Sequence, residues 1–168
     1  MSRGHNYPGL WINLEGGEYS GKTTHQIYLA ENLRNKGFIV NTGREPGNTL
    51  AGEEIRRILL DPKLPGLNPR TEMLLFVAAG VEFFEQVLKP SLKIGQIYIT
   101  DRWRYSTKAY QGHGLGIDLD IIDILTENFM IHKKSSLRKV FRKNILNNKG
   151  VTLRQKIELL SEILKEKK

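Results

Sequence analysis

The sequence of 168 residues contains no cysteine, which excludes disulfide bonds and thiolate metal sites. No apolar run approaches the roughly 20 residues that a membrane-spanning helix needs, and residues 1–6 lack the apolar core of a signal peptide. The four histidines do not have metal-ligand spacing, and we find neither an internal repeat nor a low-complexity segment. We therefore expect a cytoplasmic protein without a membrane partner, long enough for one domain with a substantial core.

Positive charge is concentrated near the end of the sequence. The net charge is +8, and residues 131–168 hold 12 of the 26 Lys and Arg but only three of the 18 Asp and Glu. This break predicts a domain over residues 1–130 and a basic helical segment over residues 131–168. We expect the basic segment to cover the core with an apolar helix face. A surface for nucleic acid or an acidic partner is the less favoured alternative.

A glycine-rich stretch carries the strongest chemical signal. Residues 16–23 have the pattern G-x-x-x-x-G-K-T, between the apolar run Leu10–Leu14 and a helical pattern. In this setting backbone N–H groups turn toward phosphate oxygens, Lys22 contacts the β- and γ-phosphates, and the Thr23 hydroxyl is a Mg²⁺ ligand. A glycine-rich turn that matches by chance is the alternative. The predicted nucleoside triphosphate site consists of Gly16, Gly17, Glu18, Tyr19, Ser20, Gly21, Lys22, Thr23 and Thr24.

A second signal is Asp101-Arg102, which follows a short apolar run at 97–100. Ligands of open α/β sheets bind beyond the carboxyl ends of the strands. Asp101 can hold Mg²⁺ or its waters beside Thr23, while Arg102 can form a fork of hydrogen bonds with a phosphate. Arg44 follows another predicted strand and can clamp a phosphate from the same rim. A second phosphorylated substrate is therefore predicted opposite the triphosphate. The alternative is a helix-capping aspartate beside a surface arginine.

Apolar runs alternate with helical patterns, which predicts an α/β fold with a parallel sheet. The strand before the glycine-rich loop is expected at its centre, beside the strand that ends at Asp101. Breaks are predicted at Pro90 and Gly95, and a loop at Gly112, Gly114 and Gly116. The predicted strands cover 10–14, 38–40 and 97–100, and the predicted helices cover 22–35, 50–60, 71–88, 105–110 and 119–129.

Four blocks in this order resemble the thymidylate kinase family: E-G-x-E-x-x-G-K-T-T, R-E-P-G, T-E-x-L-L-F and D-R-W-x-x-S-T-x-A-Y-Q-G-x-G. The resemblance covers roughly residues 9–130. It implies a P-loop NTPase fold of three layers with a central parallel sheet. It also implies a cytoplasmic nucleoside monophosphate kinase of dTTP biosynthesis that converts ATP and dTMP to ADP and dTDP with Mg²⁺, commonly as a homodimer.

The resemblance also implies roles for individual residues. The catalytic group would be Lys22, Asp101, Arg102 and Glu18, with Thr23 and Asp101 at the metal and Glu18 near the acceptor sugar. The acceptor nucleotide would be held by a larger set. Two arginines would bind the acceptor phosphate, and a proline would shape the loop between them in sequence, often through a cis bond. A phenylalanine would stack on the pyrimidine, and three polar residues would line the sugar and base pocket. These residues are Arg44, Arg102, Pro46, Phe76, Ser106, Tyr110 and Gln111.

The sequence departs from the family in three places. Gly80 replaces the arginine that contacts thymine, and Tyr19 occupies a loop position that is glycine or arginine in many members. The arginine-bearing lid and the last strands are not recognisable after residue 130. The fold is therefore expected to be truncated on that side and to carry a helical basic tail. The alternative function is a nucleotide-binding protein of the same fold with altered acceptor specificity or lost activity.

Overall fold

The computed structural model describes residues 7–64 and 66–129. The described residues form three β-strands, six α-helices and two short π-helical segments. The strands are β1 (Leu10–Leu14), β2 (Val40–Arg44) and β3 (Ile97–Asp101). The helices are α1 (Lys22–Asn35), α2 (Leu50–Leu59), α3 (Pro69–Phe83), α4 (Lys89–Lys93), α5 (Arg104–Thr107) and α6 (Leu119–Phe129). The π-helical segments are Phe84–Leu88 and Lys108–Gly114.

The three strands form one parallel sheet in the order β1-β3-β2. The prediction of an α/β fold with a central parallel sheet is therefore confirmed. The prediction that the strand before the glycine-rich loop lies at the centre is wrong for the described residues, because β3 separates β1 from β2. All residues from Ile97 to Thr100 are buried, as expected for a strand with a neighbour on each side. β1 is nearly as apolar, so composition alone does not distinguish the two positions.

The strands bury side chains on both faces of the sheet, which gives the predicted three layers. Ile97 and Ile99 of β3 belong to a cluster with Leu29 and Leu33 of α1. Tyr98, which points to the opposite face, packs with Phe83 at a ring-centroid distance of 5.4 Å and belongs to a second cluster built from α3, α4 and the segment between them. The period-two alternation of β3 thus places one helical layer on each side of the sheet.

Several element boundaries differ from the sequence predictions. β2 begins at Val40 rather than at Phe38 and continues through a polar run to Arg44, beyond the predicted end at residue 40. The polar run still forms a strand because its backbone pairs with β3 along its whole length. By contrast, α1 ends at Asn35 and α6 spans Leu119–Phe129, as predicted.

The two π-helical segments were not predicted. The predicted break at Pro90 is wrong, because α4 continues directly from the first π-helical segment and contains this proline. Gly112 and Gly114 were expected in a loop but lie within the second π-helical segment. A Cβ atom on Gly112 would come within 2.5 Å of the Leu119 side chain, so the missing side chain allows close packing on α6.

Within the described ranges, no helix is long and apolar enough to cross a membrane. Three predictions lie outside those ranges: the basic helical segment over 131–168, the absence of strands after residue 130, and the domain boundary at that point.

Candidate functional site

The glycine-rich loop joins β1 to the N-terminus of α1. Gly21 caps the helix at φ +79°, and Tyr19 also has a positive φ of +59°, with its ring fully exposed. Positive φ is unusual for tyrosine and costs free energy, so the surrounding glycine-rich loop must hold Tyr19 in this left-handed conformation. Lys22 Nζ donates to the Gly17 carbonyl oxygen at 2.7 Å, which folds the lysine over the loop. The predicted phosphate-binding residues are therefore brought together.

Thr23 and Asp101 meet although they are 78 residues apart. The Thr23 hydroxyl donates to Asp101 Oδ2 at 3.2 Å, while Asp101 Oδ1 is buried and has no hydrogen-bond partner among the described residues. A buried carboxylate oxygen without a partner, next to a threonine hydroxyl at a helix N-terminus, is a donor set that fits Mg²⁺ when phosphate and water oxygens complete the coordination. Residues 7–64 and 66–129 contain no group of three or more His, Asp or Glu side chains that could hold a metal alone.

Arg102 connects the loop to the segment after β3. Its guanidinium donates to the Gly16 carbonyl and to Ser106 Oγ, both at 3.2 Å, and to the Tyr110 hydroxyl at 3.3 Å. It also forms an ion pair with Glu18. Burial alone would lower the pKa of Arg102, but Tyr110, Glu18 and Asp101 raise it above its ordinary value. Arg102 is therefore a fixed positive charge at the centre of the predicted site.

Glu15, at the end of β1, is a positioning residue that the sequence prediction missed. Its Oε1 accepts from the Trp103 backbone N–H at 3.0 Å, and its Oε2 accepts from Ser106 Oγ at 2.6 Å. Trp103 is buried and packs edge-on against Trp11, with ring centroids 4.9 Å apart. Glu15 thus ties the start of the glycine-rich loop to α5. Its place at the head of the E-G-x-E block was the available signal.

Arg44 ends β2 and lies beside Asp101 in the strand register. Its guanidinium donates to Glu53 of α2 at 3.0 Å and remains half-exposed. It lines an open cavity of about 490 Å³ together with Arg56 and Arg57 of α2. Arg56 was missed by the sequence prediction; burial lowers its pKa, and the nearby Arg44 lowers it further. The lining also includes the acidic Glu53 and Asp61, so the three arginines give the cavity a net positive charge, which suits it to a phosphate.

The loop after Arg44 contains a cis peptide bond between Glu45 and Pro46, as the resemblance implied. Arg56 Nη1 donates to the Pro46 carbonyl at 3.1 Å, which fastens the loop to α2. Thr49 caps α2 by accepting from the Gly52 N–H at 2.9 Å. Glu53 accepts from the Asn48 backbone N–H, and this hydrogen bond lowers the pKa of Glu53. The loop thus holds Arg44 at the edge of the cavity.

Phe76 and Gln111 lie on a different pair of elements. Phe76 is half-buried on α3, and Gln111 is buried in the second π-helical segment with 3% of its surface exposed. Gln111 Nε2 donates to Glu72 Oε1 of α3 at 2.7 Å. Gly80, at the position of the expected base-reading arginine, is buried on the same helix. Gln111 is therefore held against α3, while Ser106 and Tyr110 accept hydrogen bonds from Arg102.

Gln26 holds α1 against the sheet, on the face opposite to α3. Its Nε2 donates to the carbonyl oxygens of Gly43 at 2.7 Å and Ile99 at 2.8 Å. One buried amide therefore fixes the helix that begins at the glycine-rich loop against the strands that end at Arg44 and Asp101.

Comparisons with known proteins give one family. The family model described as thymidylate kinase matches residues 14–146. A thymidylate kinase from an Exiguobacterium species is 44% identical over 119 residues, which are 71% of this chain and 56% of the relative. A thymidylate kinase from Pseudomonas fluorescens is 48% identical over 111 residues, which are 66% of this chain and 53% of the relative. The chain therefore spans about half the length of these curated relatives.

A solved structure shares the fold. The crystal structure of thymidylate kinase from Ehrlichia chaffeensis superposes with a TM-score of 0.73 at 32% sequence identity. The match covers 94% of this chain and 98% of that one.

Proposed function

The chain belongs to the thymidylate kinase family, and from that membership we propose that it transfers the γ-phosphoryl group of ATP to dTMP. The products are ADP and dTDP. The observation that carries the proposal is the meeting of Lys22, Thr23 and Asp101 at the carboxyl ends of β1 and β3, with Arg102 directly behind them. These residues provide phosphate-binding and metal-binding groups at one end of the sheet, where an α/β fold binds its ligands.

The triphosphate lies along the glycine-rich loop, where backbone N–H groups and the N-terminus of α1 face its oxygens. Lys22 releases the Gly17 carbonyl and contacts the β- and γ-phosphates instead. Residues Thr23 and Asp101 hold Mg²⁺, which neutralises phosphate charge when it is bound. The unpartnered Oδ1 of Asp101 supports this assignment, because a buried carboxylate oxygen without a partner is otherwise costly.

The acceptor phosphate of dTMP lies between Arg44 and Arg102, which flank Asp101 in the strand register and in sequence. An oxygen of this phosphate attacks the γ-phosphorus of ATP, the bond from that phosphorus to the bridging oxygen breaks, and ADP leaves. The attacking oxygen is already negatively charged, so little proton removal is needed and positioning with charge neutralisation dominates. Arg56 lines the same cavity as Arg44 and adds positive charge beside it.

The nucleoside of dTMP extends from Arg102 toward α3. Glu18 lies near the sugar, Ser106 and Tyr110 line the deoxyribose pocket, and Phe76 stacks on the base. The support is the resemblance together with the contacts of Arg102 with Glu18, Ser106 and Tyr110, which bring three of these residues to one guanidinium.

We further propose that the chain forms a homodimer, as family members commonly do. Among the described residues, α2 and α3 leave the large apolar side chains of Leu50 and Leu74 exposed, and association of two copies would remove such surface from water. Light scattering coupled to size-exclusion chromatography gives the mass directly. A monomeric mass at micromolar concentration would contradict this proposal without affecting the proposed reaction.

The Lys22→Ala variant tests the proposed reaction. We expect the substitution to abolish ADP formation from ATP and dTMP in a coupled assay, because no other side chain of the loop brings positive charge to the β- and γ-phosphates. The thermal unfolding curve should stay close to that of the original chain, since the lysine side chain contributes only hydrogen bonds within the loop.

Lys36→Ala is the matched control, since this exposed lysine follows the last residue of the same helix. It should retain the original rate. Equal rates for the original chain and the Lys22→Ala variant would refute the assignment. Binding of Mg-ATP without transfer to any nucleoside monophosphate would favour the alternative of a nucleotide-binding protein that has lost activity.

A further inference from the structure

His25 lies in the first turn of α1, and neither the sequence pattern nor the proposed reaction gives it a role. Its side chain is exposed, and its Nδ1 atom is 2.8 Å from the carbonyl oxygen of Gly21. A carbonyl oxygen only accepts hydrogen bonds, so Nδ1 carries the hydrogen and donates it. The backbone N–H of His25 donates to the same oxygen at 3.0 Å. One residue therefore holds this oxygen with two donors.

The imidazole ring also packs over Gly21. A Cβ atom added at Gly21 would lie 3.4 Å from His25 Nδ1 and 3.5 Å from Cε1, which is ordinary van der Waals contact. Gly21 is the N-cap of α1 at φ +79° and ψ +15°, and glycine adopts positive and negative φ about equally well. The backbone at this residue therefore has little preference of its own, and the contacts with His25 select its orientation.

The peptide group between Gly21 and Lys22 transmits this contact to the phosphate site. In a trans peptide group the C=O and the N–H point in opposite directions. Because His25 holds the Gly21 oxygen toward the body of α1, the Lys22 N–H is turned outward, toward the glycine-rich loop. Gly21 has no side chain that could cap the helix, so the N–H groups of the first turn are left for an anionic ligand.

We propose that His25 is a positioning residue that fixes the Gly21–Lys22 peptide group, so that the Lys22 N–H faces the phosphates of the donor nucleoside triphosphate. This inference rests on the proposed function, because it places the triphosphate along the glycine-rich loop. An N–H group that is already oriented need not be ordered when the ligand binds, which strengthens binding. The imidazole acts through the backbone and does not itself contact the nucleotide. Arg44 and Arg102, the proposed clamp on the acceptor phosphate, belong to other segments of the chain, so the effect is confined to the donor.

Calorimetric binding of Mg-ATP and of dTMP to the full chain, at one fixed pH, tests this inference. The His25→Ala variant removes the side-chain donor, so the affinity for Mg-ATP should fall about fivefold, the usual effect of losing one hydrogen bond. His25→Ser supplies a hydroxyl that can donate to the carbonyl four residues earlier, so most of the affinity should return. The affinity for dTMP should stay unchanged in both variants.

The same measurements separate positioning from other roles of His25. A direct contact of the imidazole with ATP would leave His25→Ser as weak as His25→Ala. A purely structural role would lower the melting temperature and the affinities for both nucleotides together. Either result would overturn the inference, as would a failure of the original chain to bind Mg-ATP.

Asn32→Ala is the matched control, since Asn32 Nδ2 also donates to the carbonyl oxygen four residues earlier, that of Tyr28, at 2.7 Å. This hydrogen bond lies in the same helix but away from the glycine-rich loop. The variant should bind Mg-ATP as the original chain does. An equal loss of Mg-ATP affinity in Asn32→Ala and His25→Ala would show that α1 is weakened as a whole, and the inference would be wrong.

The two proposals fail separately. If Mg-ATP binding weakens in His25→Ala and returns in His25→Ser, but ATP and dTMP give no dTDP, the proposed reaction fails and the positioning role stands. If dTDP forms while His25→Ala binds Mg-ATP as tightly as the original chain, the reaction stands and the role of His25 is wrong.

Discussion

At the scale of single residues, one buried carboxylate in the described part of the chain is energetically unfavourable. Glu45 is 7% exposed, and both of its carboxylate oxygens are buried without a hydrogen-bond partner in the described part of the chain. Burial raises the pKa of Glu45 well above its usual range, the positive charge of Arg56 opposes this shift, and Glu53 adds to it. The residue lies directly after Arg44 and before Pro46, so its cost is located in the loop next to the arginine proposed to bind the acceptor phosphate.

The Glu45→Gln variant should be more stable than the original chain at about pH 8. In the unfolded chain Glu45 loses its proton near its ordinary pKa, whereas the folded chain keeps it to higher pH. The free energy of unfolding therefore falls as pH rises through this window, by about 1.4 kcal/mol for each unit of pKa shift. Glutamine does not titrate, so the variant should lose this dependence, and its melting temperature should exceed that of the original chain at the higher pH.

Thermal unfolding at about pH 5 and about pH 8 measures the effect. Glu54→Gln is the control, because Glu54 is exposed and pairs only with the neighbouring Arg57 on the same helix. Parallel pH dependence in the original chain and the Glu45→Gln variant would show that Glu45 is ionised in the folded state.

At the level of elements, the site depends on how α1 is fixed to the sheet. Gln26 is buried in this helix and bonds to β2 and β3 through one amide nitrogen. The helix carries Lys22 and Thr23 at its start, while the strands carry Arg44 and Asp101 at their ends. The distance between the two halves of the site is therefore set by this amide and by the apolar cluster around it.

The Gln26→Met variant keeps the length of the side chain but removes both donors. We expect it to lower the free energy of unfolding by about 1–2 kcal/mol, the usual range for two hydrogen bonds, and the melting temperature by about 2–8 °C. The affinity for Mg-ATP should fall as well, because α1 moves relative to Asp101. Chemical denaturation and calorimetry measure the two effects. Gln86→Met, an exposed glutamine in the first π-helical segment, should change neither. A Gln26→Met variant with unchanged stability would contradict the account.

The sequence predicts the elements whose signals are local. The glycine-rich loop with α1 and the bounds of α6 follow from neighbouring residues, and the structure confirms them. The central position of β3 was missed because it depends on pairing between strands more than 50 residues apart. The two π-helical segments were missed because no local residue pattern distinguishes them from α-helix.

The site residues also divide into those with a local sequence signal and those without one. Lys22, Thr23 and Asp101 were predicted from a motif and from the end of an apolar run, and the structure brings them together. Arg56 was missed because its contact lies on the loop before α2, and Glu15 was missed although it stands at the head of the E-G-x-E block. The roles of Phe76, Ser106, Tyr110 and Gln111 toward a nucleotide came from the resemblance and stay predictions.

At the scale of the whole molecule, the described fold is a parallel sheet whose carboxyl ends carry the predicted phosphate-binding residues, and the chain belongs to the thymidylate kinase family. The chain spans about half the length of its curated relatives, so the central claim is that this chain, as it stands, completes a phosphoryl transfer. Binding of either nucleotide alone does not test that claim. Only the formation of both ADP and dTDP tests it.

The most direct measurement is separation and quantification of the nucleotides after the full chain is incubated with Mg-ATP and dTMP. Anion-exchange chromatography resolves ATP, ADP, dTMP and dTDP in one run. If the chain transfers the γ-phosphoryl group of ATP to dTMP, dTDP and ADP appear in equal amounts, and neither forms when dTMP is omitted. ADP without dTDP would mean that the chain hydrolyses ATP, and the absence of both products from a chain that binds Mg-ATP would contradict the central claim.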